Sequence, residues 1–271
     1  MGRGWAKGLT SLSDPRVARA AGAHRGMHYM RRKPIEEDRR CRRKWREISW
    51  TEDLAYRVGL IATDGGLVGR GAIAFKSKDV QLINTYLAVM GRRAKPYLVR
   101  GGGGSLTYHV QFGDVVLYRW LEAIGLSPRK SLVLGAIDVP PQFFYPLARG
   151  LLDGDGTIAH YIHRPTKRHQ PTYRYERLVV KFHSASRAHI EWLRSEFATR
   201  GVTGALVVER RRGKTPMHVL QLGKKAAETL LPRLYPSSTV PKLERKWLVW
   251  HDYLVGQTVP TVGFEPTTLT S

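Results

Sequence analysis

Residues 59–66, GLIATDGG, and residues 150–157, GLLDGDGT, align at a constant offset of 91 residues, and this restricts the possible folds more than any other feature of the chain. Gly59 falls on Gly150, Leu60 on Leu151, Asp64 on Asp155 and Gly65 on Gly156. Leucines and glycines can coincide by accident, but here the order of elements around them coincides too. Self-similarity at a fixed offset is the mark of a duplicated supersecondary unit. The chain is therefore read as two copies of one unit, each beginning with an apolar helix that ends in a glycine-flanked aspartate.

In the first copy, residues 49–66 form the helix, with Ser49 and Glu52 spaced as a capping box and Gly65–Gly66 as the stop. GAIAFKSK then reads as a strand and DVQLINTYLAVMG as a helix closed by Gly91. The turn RGGGG is followed by the strand LTYHVQF, and GDVVLYRWLEAIG is a further helix ended by Gly125. In the second copy PQFFYPLARGLLDGDG is the helix, with Pro146 near its first turn. RLVVKFHS is a strand, SRAHIEWLRSEFATRG a helix, and ALVVERR with MHVLQLG a strand pair. GKKAAETLLPRL and its continuation form one last helix. The basic, aromatic insert at 163–176 has no counterpart in the first copy and reads as a loop or hairpin tip.

Small residues recur four apart in the two apolar helices: Ala55, Gly59 and Thr63 in one, Gly150 and Gly154 in the other. Positions four apart share a helix face, and a face without bulky side chains lets two backbones approach closely. Docking through these faces would make a pseudo-dimer inside one polypeptide, so a monomer is expected. It would also bring Asp64 and Asp155 together at the far end of the contact. Two adjacent carboxylates repel unless a cation intervenes. Magnesium, a hard ion that prefers oxygen ligands, would resolve the repulsion, and manganese could substitute for it. Such a metal also activates water and polarises phosphate oxygens. Asp153, whose place in the first copy is taken by Ala62, is expected to organise the helix end instead.

The charge balance points to a polyanionic partner. Among 271 residues, 45 Lys and Arg stand against 22 Asp and Glu, a formal charge of +23. The basic residues crowd the first 48 positions, notably MRRKPIEEDRRCRRKWRE at 30–47. This arm either follows a phosphate backbone or is a solvated extension. With Cys41 the only cysteine, an intramolecular disulfide is excluded. No secretory signal or membrane-spanning run is evident, so a cytoplasmic protein is expected. Residues 256–271 read as a disordered tail.

LARGLLDGDGTI, and in degenerate form RVGLIATDGGL, resemble the paired signature motifs of the LAGLIDADG homing endonucleases in their single-chain, two-motif form. The resemblance covers roughly residues 49–255, as repeats 49–136 and 137–255. It implies an α+β fold in which each repeat runs helix, two strands, helix, two strands, helix, the two pseudo-twofold-related halves forming a saddle across DNA. It further implies a metal-dependent, site-specific double-stranded DNA endonuclease acting in intron homing, with Asp64 and Asp155 on the metals. Members also carry a basic residue after the last helix of each repeat, which falls on Lys130 and Lys246, set in parallel as Arg129-Lys130 and Arg245-Lys246. No role is assigned to Phe75, Lys76, Phe182 or His183 beside the acids.

Base contacts should come from the strands, where Arg70, Lys76, Gln111, Arg174, Lys181, Arg210, Arg212 and Gln221 are candidates. His183, His189 and His218 lack zinc-ligand spacing, and Trp192, Trp247 and Trp250 sit at core-like helical positions. Two other functions fit the same fold: an RNA-binding intron splicing factor, and a nucleic-acid-binding regulator that does not cleave. The sequence does not separate DNA from RNA.

Overall fold

The computed structural model describes residues 46–91, 94–101, 104–163, 175–210, 212–213 and 215–258. Cys41 and Arg174, most of the basic arm and of the insert, and residues 259–271 lie outside them. Both repeats belong to one compact unit that begins at Glu47. The element order is α1 (Glu52–Thr63), β1 (Gly65–Val68), β2 (Ala72–Ser77), α2 (Val80–Met90), β3 (Tyr97–Arg100), β4 (Leu106–Gly113) and α3 (Val115–Ala123). It then repeats as α4 (Phe144–Asp155), β5 (Thr157–His163), β6 (Tyr175–Ser184), α5 (Arg187–Ala198), β7 (Ala205–Glu209), β8 (Met217–Leu222) and α6 (Lys224–Leu234). An additional helix, α7 (Glu244–Thr258), follows. The two antiparallel sheets have matching strand orders, β1-β2-β4-β3 and β5-β6-β8-β7, so the duplication extends to topology.

Local chemistry accounts for most element ends, with two corrections. Helix α1 is capped by Thr51, whose hydroxyl accepts from the Leu54 amide at 3.1 Å; the expected Ser49–Glu52 box does not form. Ser49 lies two residues too early, and Glu52 is already the first helical residue. The single last helix is instead two, α6 and α7, because Pro236 and Pro241 interrupt the segment between them. Elsewhere Asp79 and Asp114 cap α2 and α3, and Gly91 closes α2 in the left-handed region at φ 58°. Pro146 is the third residue of α4, where an absent N–H removes no intrahelical bond. Strands β1, β3 and β5 escaped the residue-by-residue reading. Gly65 and Gly66 do end α1, but they then pair with Phe75 and Ala74 as the start of β1.

The helix pair α1/α4 forms the centre of the molecule. A Cβ placed on Gly59 would overlap the Leu147 carbonyl and lie 2.8 Å from the Gly150 Cα. One placed on Gly150 would overlap the Tyr56 carbonyl, and one on Gly154 the Thr63 hydroxyl. Backbones this close leave room for hydrogen only, which is why the small-residue face is needed. Around this contact a continuous apolar core joins Leu54, Val58 and Ile61 of α1 to Leu147, Leu151 and Leu152 of α4 and to the inner faces of both sheets. Trp250 is buried in it, while Trp192 and Trp247 pack against its margin. Among the described residues no helix is long and apolar enough to cross a membrane.

Candidate active site at the paired helix ends

Asp64 caps the C-terminus of α1 and Asp155 is the last residue of α4, so the close-packed helices deliver both acids to one end of their contact. A helix C-terminus carries partial negative charge and is an unfavourable place for a carboxylate. Among the described residues, neither carboxylate has a hydrogen bond or ion pair; only the backbones are engaged. The Asp64 carbonyl accepts from the Lys76 amide at 3.3 Å, and the Asp155 carbonyl accepts from His183 Nδ1 at 3.0 Å. Burial, and then the charge of Asp155, raise the Asp64 carboxyl to about 6. Asp155 reaches solvent, yet the protein around it displaces enough water to raise its carboxyl too, against the pull of Lys246, Lys130, His183 and Lys76.

Lys130 and Lys246 lie at the same helix ends, one per repeat. Lys130 Nζ donates to the Gly65 carbonyl at 2.5 Å. Lys246 Nζ donates to the carbonyls of Leu152, Asp153 and Gly154 at 2.7, 2.8 and 3.1 Å, satisfying the last turn of α4. Both ammonium groups are buried, and desolvation lowers each to about 8 although the neighbouring acids favour the charged form. Asp153 faces away from this end. Fully buried, it accepts from the hydroxyls of Tyr56 and Tyr235, each at 2.8 Å, and from the Leu243 amide at 2.9 Å. One carboxylate thus ties α1, the end of α6 and the lead-in to α7.

The donor set suits a hard divalent cation. It comprises two carboxylates without a protein hydrogen-bond partner among the described residues, at the C-termini of two helices, and magnesium commonly takes one or two protein carboxylates and completes its shell with water and phosphate. No cluster of three or more His, Cys, Asp or Glu residues surrounds the acids among the described residues, so a fully protein-made cage is not what is offered.

Strand register decides which sheet residues share the open face. Lys76 pairs with His109 and Ala74 with Gln111 in the first sheet; Thr157, Lys181, Gln221 and Ala205 form one row in the second. Lys76, Gln111, Lys181 and Gln221 therefore lie on the faces turned from the core, although Lys181 is drawn to Glu209 at 3.3 Å. Arg70 is exposed in the β1–β2 turn, and Arg210 and Arg212 in the β7–β8 connection. The same parity adds Thr107, His109, Tyr161 and Arg177, which the sequence reading missed. Lys76 and His183 were given no role beside the acids, yet both lie close enough to influence them. Their matching places, directly after Phe75 and Phe182 at the ends of β2 and β6, were the available signal.

No protein-family model and no curated protein sequence matches the chain. Solved structures do. The homing endonuclease I-WcaI bound to its DNA recognition sequence matches 83% of this chain and 96% of its own, with 13% identity and a TM-score of 0.51. The meganuclease I-SmaMI bound to uncleavable DNA matches 77% of this chain and 92% of its own, with 11% identity and a TM-score of 0.51. This is the LAGLIDADG homing endonuclease fold. In this fold α1 and α4 form the central helix pair, and Asp64 and Asp155 stand at their ends.

Proposed function

We propose that this chain is a site-specific endonuclease that hydrolyses double-stranded DNA with a divalent metal. The observation that carries the reading is the pair Asp64/Asp155: carboxylates without a protein partner, held near each other at the ends of two helices that pack backbone to backbone. Asp64 and Asp155 would hold magnesium, or manganese in its place. When bound, the metal supplies a polarised phosphate oxygen and a water of lowered pKa. Lys130 and Lys246 add fixed positive charge where the phosphorane charge develops, and their bonds to helix-end carbonyls keep them in place. The open sheet faces carrying Lys76, Gln111, Lys181 and Gln221 receive the duplex, with Arg70, Arg210 and Arg212 at their margins. Residues 1–48 act as a basic arm and 49–136 and 137–255 as the two halves, in a monomer working in the cytoplasm; of the expected tail 256–271, the first three residues complete α7.

The cations around the acids favour a second reading. Lys76, Lys130, Lys246 and His183 all lower the acids' proton affinity, and so could balance them without metal. That arrangement would serve a regulator or an RNA-binding intron splicing factor that does not cleave. The test is a randomised double-stranded DNA library incubated with magnesium, its cut ends sequenced, beside binding in calcium. Wild type should cut at one sequence, while Asp64→Asn and Asp155→Asn bind in calcium but do not cut. Wild type that binds specifically and never cuts would support the second reading.

A further inference from the structure

The two halves are unequal in reach. Strand β1 ends four residues past Asp64, whereas β5, within the described residues, runs to at least eight residues past Asp155. The β1–β2 ladder closes at the pair Val68↔Ala72, but the β5–β6 ladder continues outward to His163↔Tyr175. Both strands leave directly from the acids, so residues further along them lie further from the point where DNA would be cut. Four more residues at about 3.3 Å each carry the second sheet roughly 13 Å further out. Along a duplex with phosphates about 3.4 Å apart on each strand, this spans up to about four base pairs.

The added length is not loose ribbon. On its helix-facing side Glu176 accepts from Lys224 of α6 at 2.5 Å, from Gln257 of α7 at 3.1 Å, and bonds His160 of β5 at 2.9 Å. The His160 ring in turn packs edge-on against Tyr253 of α7, centroids 5.0 Å apart. Where α7 follows in the second repeat, the described residues of the first hold only a three-residue 3-10 turn, Lys130–Leu132, so the long helix that supplies two of these contacts has no equal there. A two-stranded ribbon alone is marginal in water, and an ordered rear brace lets it present side chains without a large ordering cost on binding. What it presents on the open face is the cross-strand pair Tyr161↔Arg177, with the Arg177 guanidinium over the Tyr175 ring at 5.0 Å. Both tyrosines and Arg177 are exposed. An arginine of this kind reads guanine through its O6 and N7.

We infer that the half-site under the second repeat is read two to four base pairs further from the cleavage centre than the other, and that Arg177 and Tyr161 specify those outer positions. This rests on the proposed function, and one experiment separates their failures. Duplexes are selected in calcium from a randomised library by wild type, Arg177→Ala, Tyr161→Ala and Glu176→Ala, and the base preference at each position is counted. Wild type should show preference extending two to four positions further on one side. Arg177→Ala and Tyr161→Ala should lose about tenfold discrimination at those outer positions and retain it near the centre. Glu176→Ala, which loosens the brace from behind, should blur the same positions. Equal reach on both sides, or a loss in the Arg177 and Tyr161 variants that is absent from the outer positions, would overturn the inference while leaving DNA recognition intact. Failure of wild type to enrich any duplex would overturn both.

Discussion

Asp64→Asn should stabilise the metal-free protein, and the structure sets the scale. The change keeps the side chain's shape and removes an ionisation that the site resists. Burial and the neighbouring Asp155 lift the Asp64 carboxyl from its ordinary 3.8 to about 6. At about 1.4 kcal/mol per pH unit, the ceiling on the penalty of holding Asp64 ionised in the native state is about 3 kcal/mol. The lysines are already reflected in that value, and residual solvent access leaves about 1–3 kcal/mol to be recovered. The sign depends on pH. Below about pH 4 both native and unfolded chains carry the proton, and the carboxyl contributes no difference. Between about 4 and 6 the native state keeps a proton that the unfolded chain has released, so wild-type stability falls as pH rises, and above about 6 the loss is complete. Urea unfolding in EDTA at pH 7.5 should therefore show the variant more stable than wild type, with the gap narrowing at pH 5. Magnesium should raise the wild-type midpoint and leave the variant nearly unmoved, since a ligand at 100 times its dissociation constant adds about 2.7 kcal/mol. A variant equally or less stable than wild type at pH 7.5, or a gap that does not narrow with acid, would refute the electrostatic account of this site.

Three further outcomes are expected. Gly150→Ala should lose roughly 1–3 kcal/mol or more in chemical denaturation because its Cβ meets the Tyr56 carbonyl; Gly113→Ala, where a Cβ meets nothing within 4 Å, should stay near wild type. Lys246→Met should lose about 2–4 kcal/mol in thermal or urea unfolding despite removing a buried charge, since it strands three helix-end carbonyls; a neutral outcome would mean that water replaces the ammonium. Light scattering of the DNA-free protein should give one chain per particle, because α1 and α4 already satisfy each other within it; a stable dimer at micromolar concentration would contradict this.

The acids and the glycines were legible in sequence for one reason. The α1/α4 contact is so close that only small residues at four-residue spacing permit it, and that constraint leaves a pattern along the chain. The duplication and most helices were legible likewise, through caps, left-handed glycines and apolar periodicity. The four-residue strands β1 and β3 were not, and neither was the seven-residue β5, which its pairing with β6 defines. Four residues such as YLVR carry too little pattern to separate a strand from a loop, and pairing with β4 is what makes that segment a strand. The break between α6 and α7 was missed although it is marked: Pro236, the polar run Ser237-Ser238-Thr239 and Pro241 separate the two helices.

The sequence by itself determined the duplication, the close helix contact and the two acids at its end, because each follows from local spacing and steric size. Tertiary structure decided how the neighbours of those acids converge. Lys76 and His183 reach them from the adjacent strands β2 and β6, Lys246 comes from 91 residues beyond Asp155, and the face Arg177 presents is set by its register opposite Tyr161. Electrostatic neighbourhood and strand register depend on three-dimensional pairings across the chain, which local patterns mark only by repeated position and do not fix.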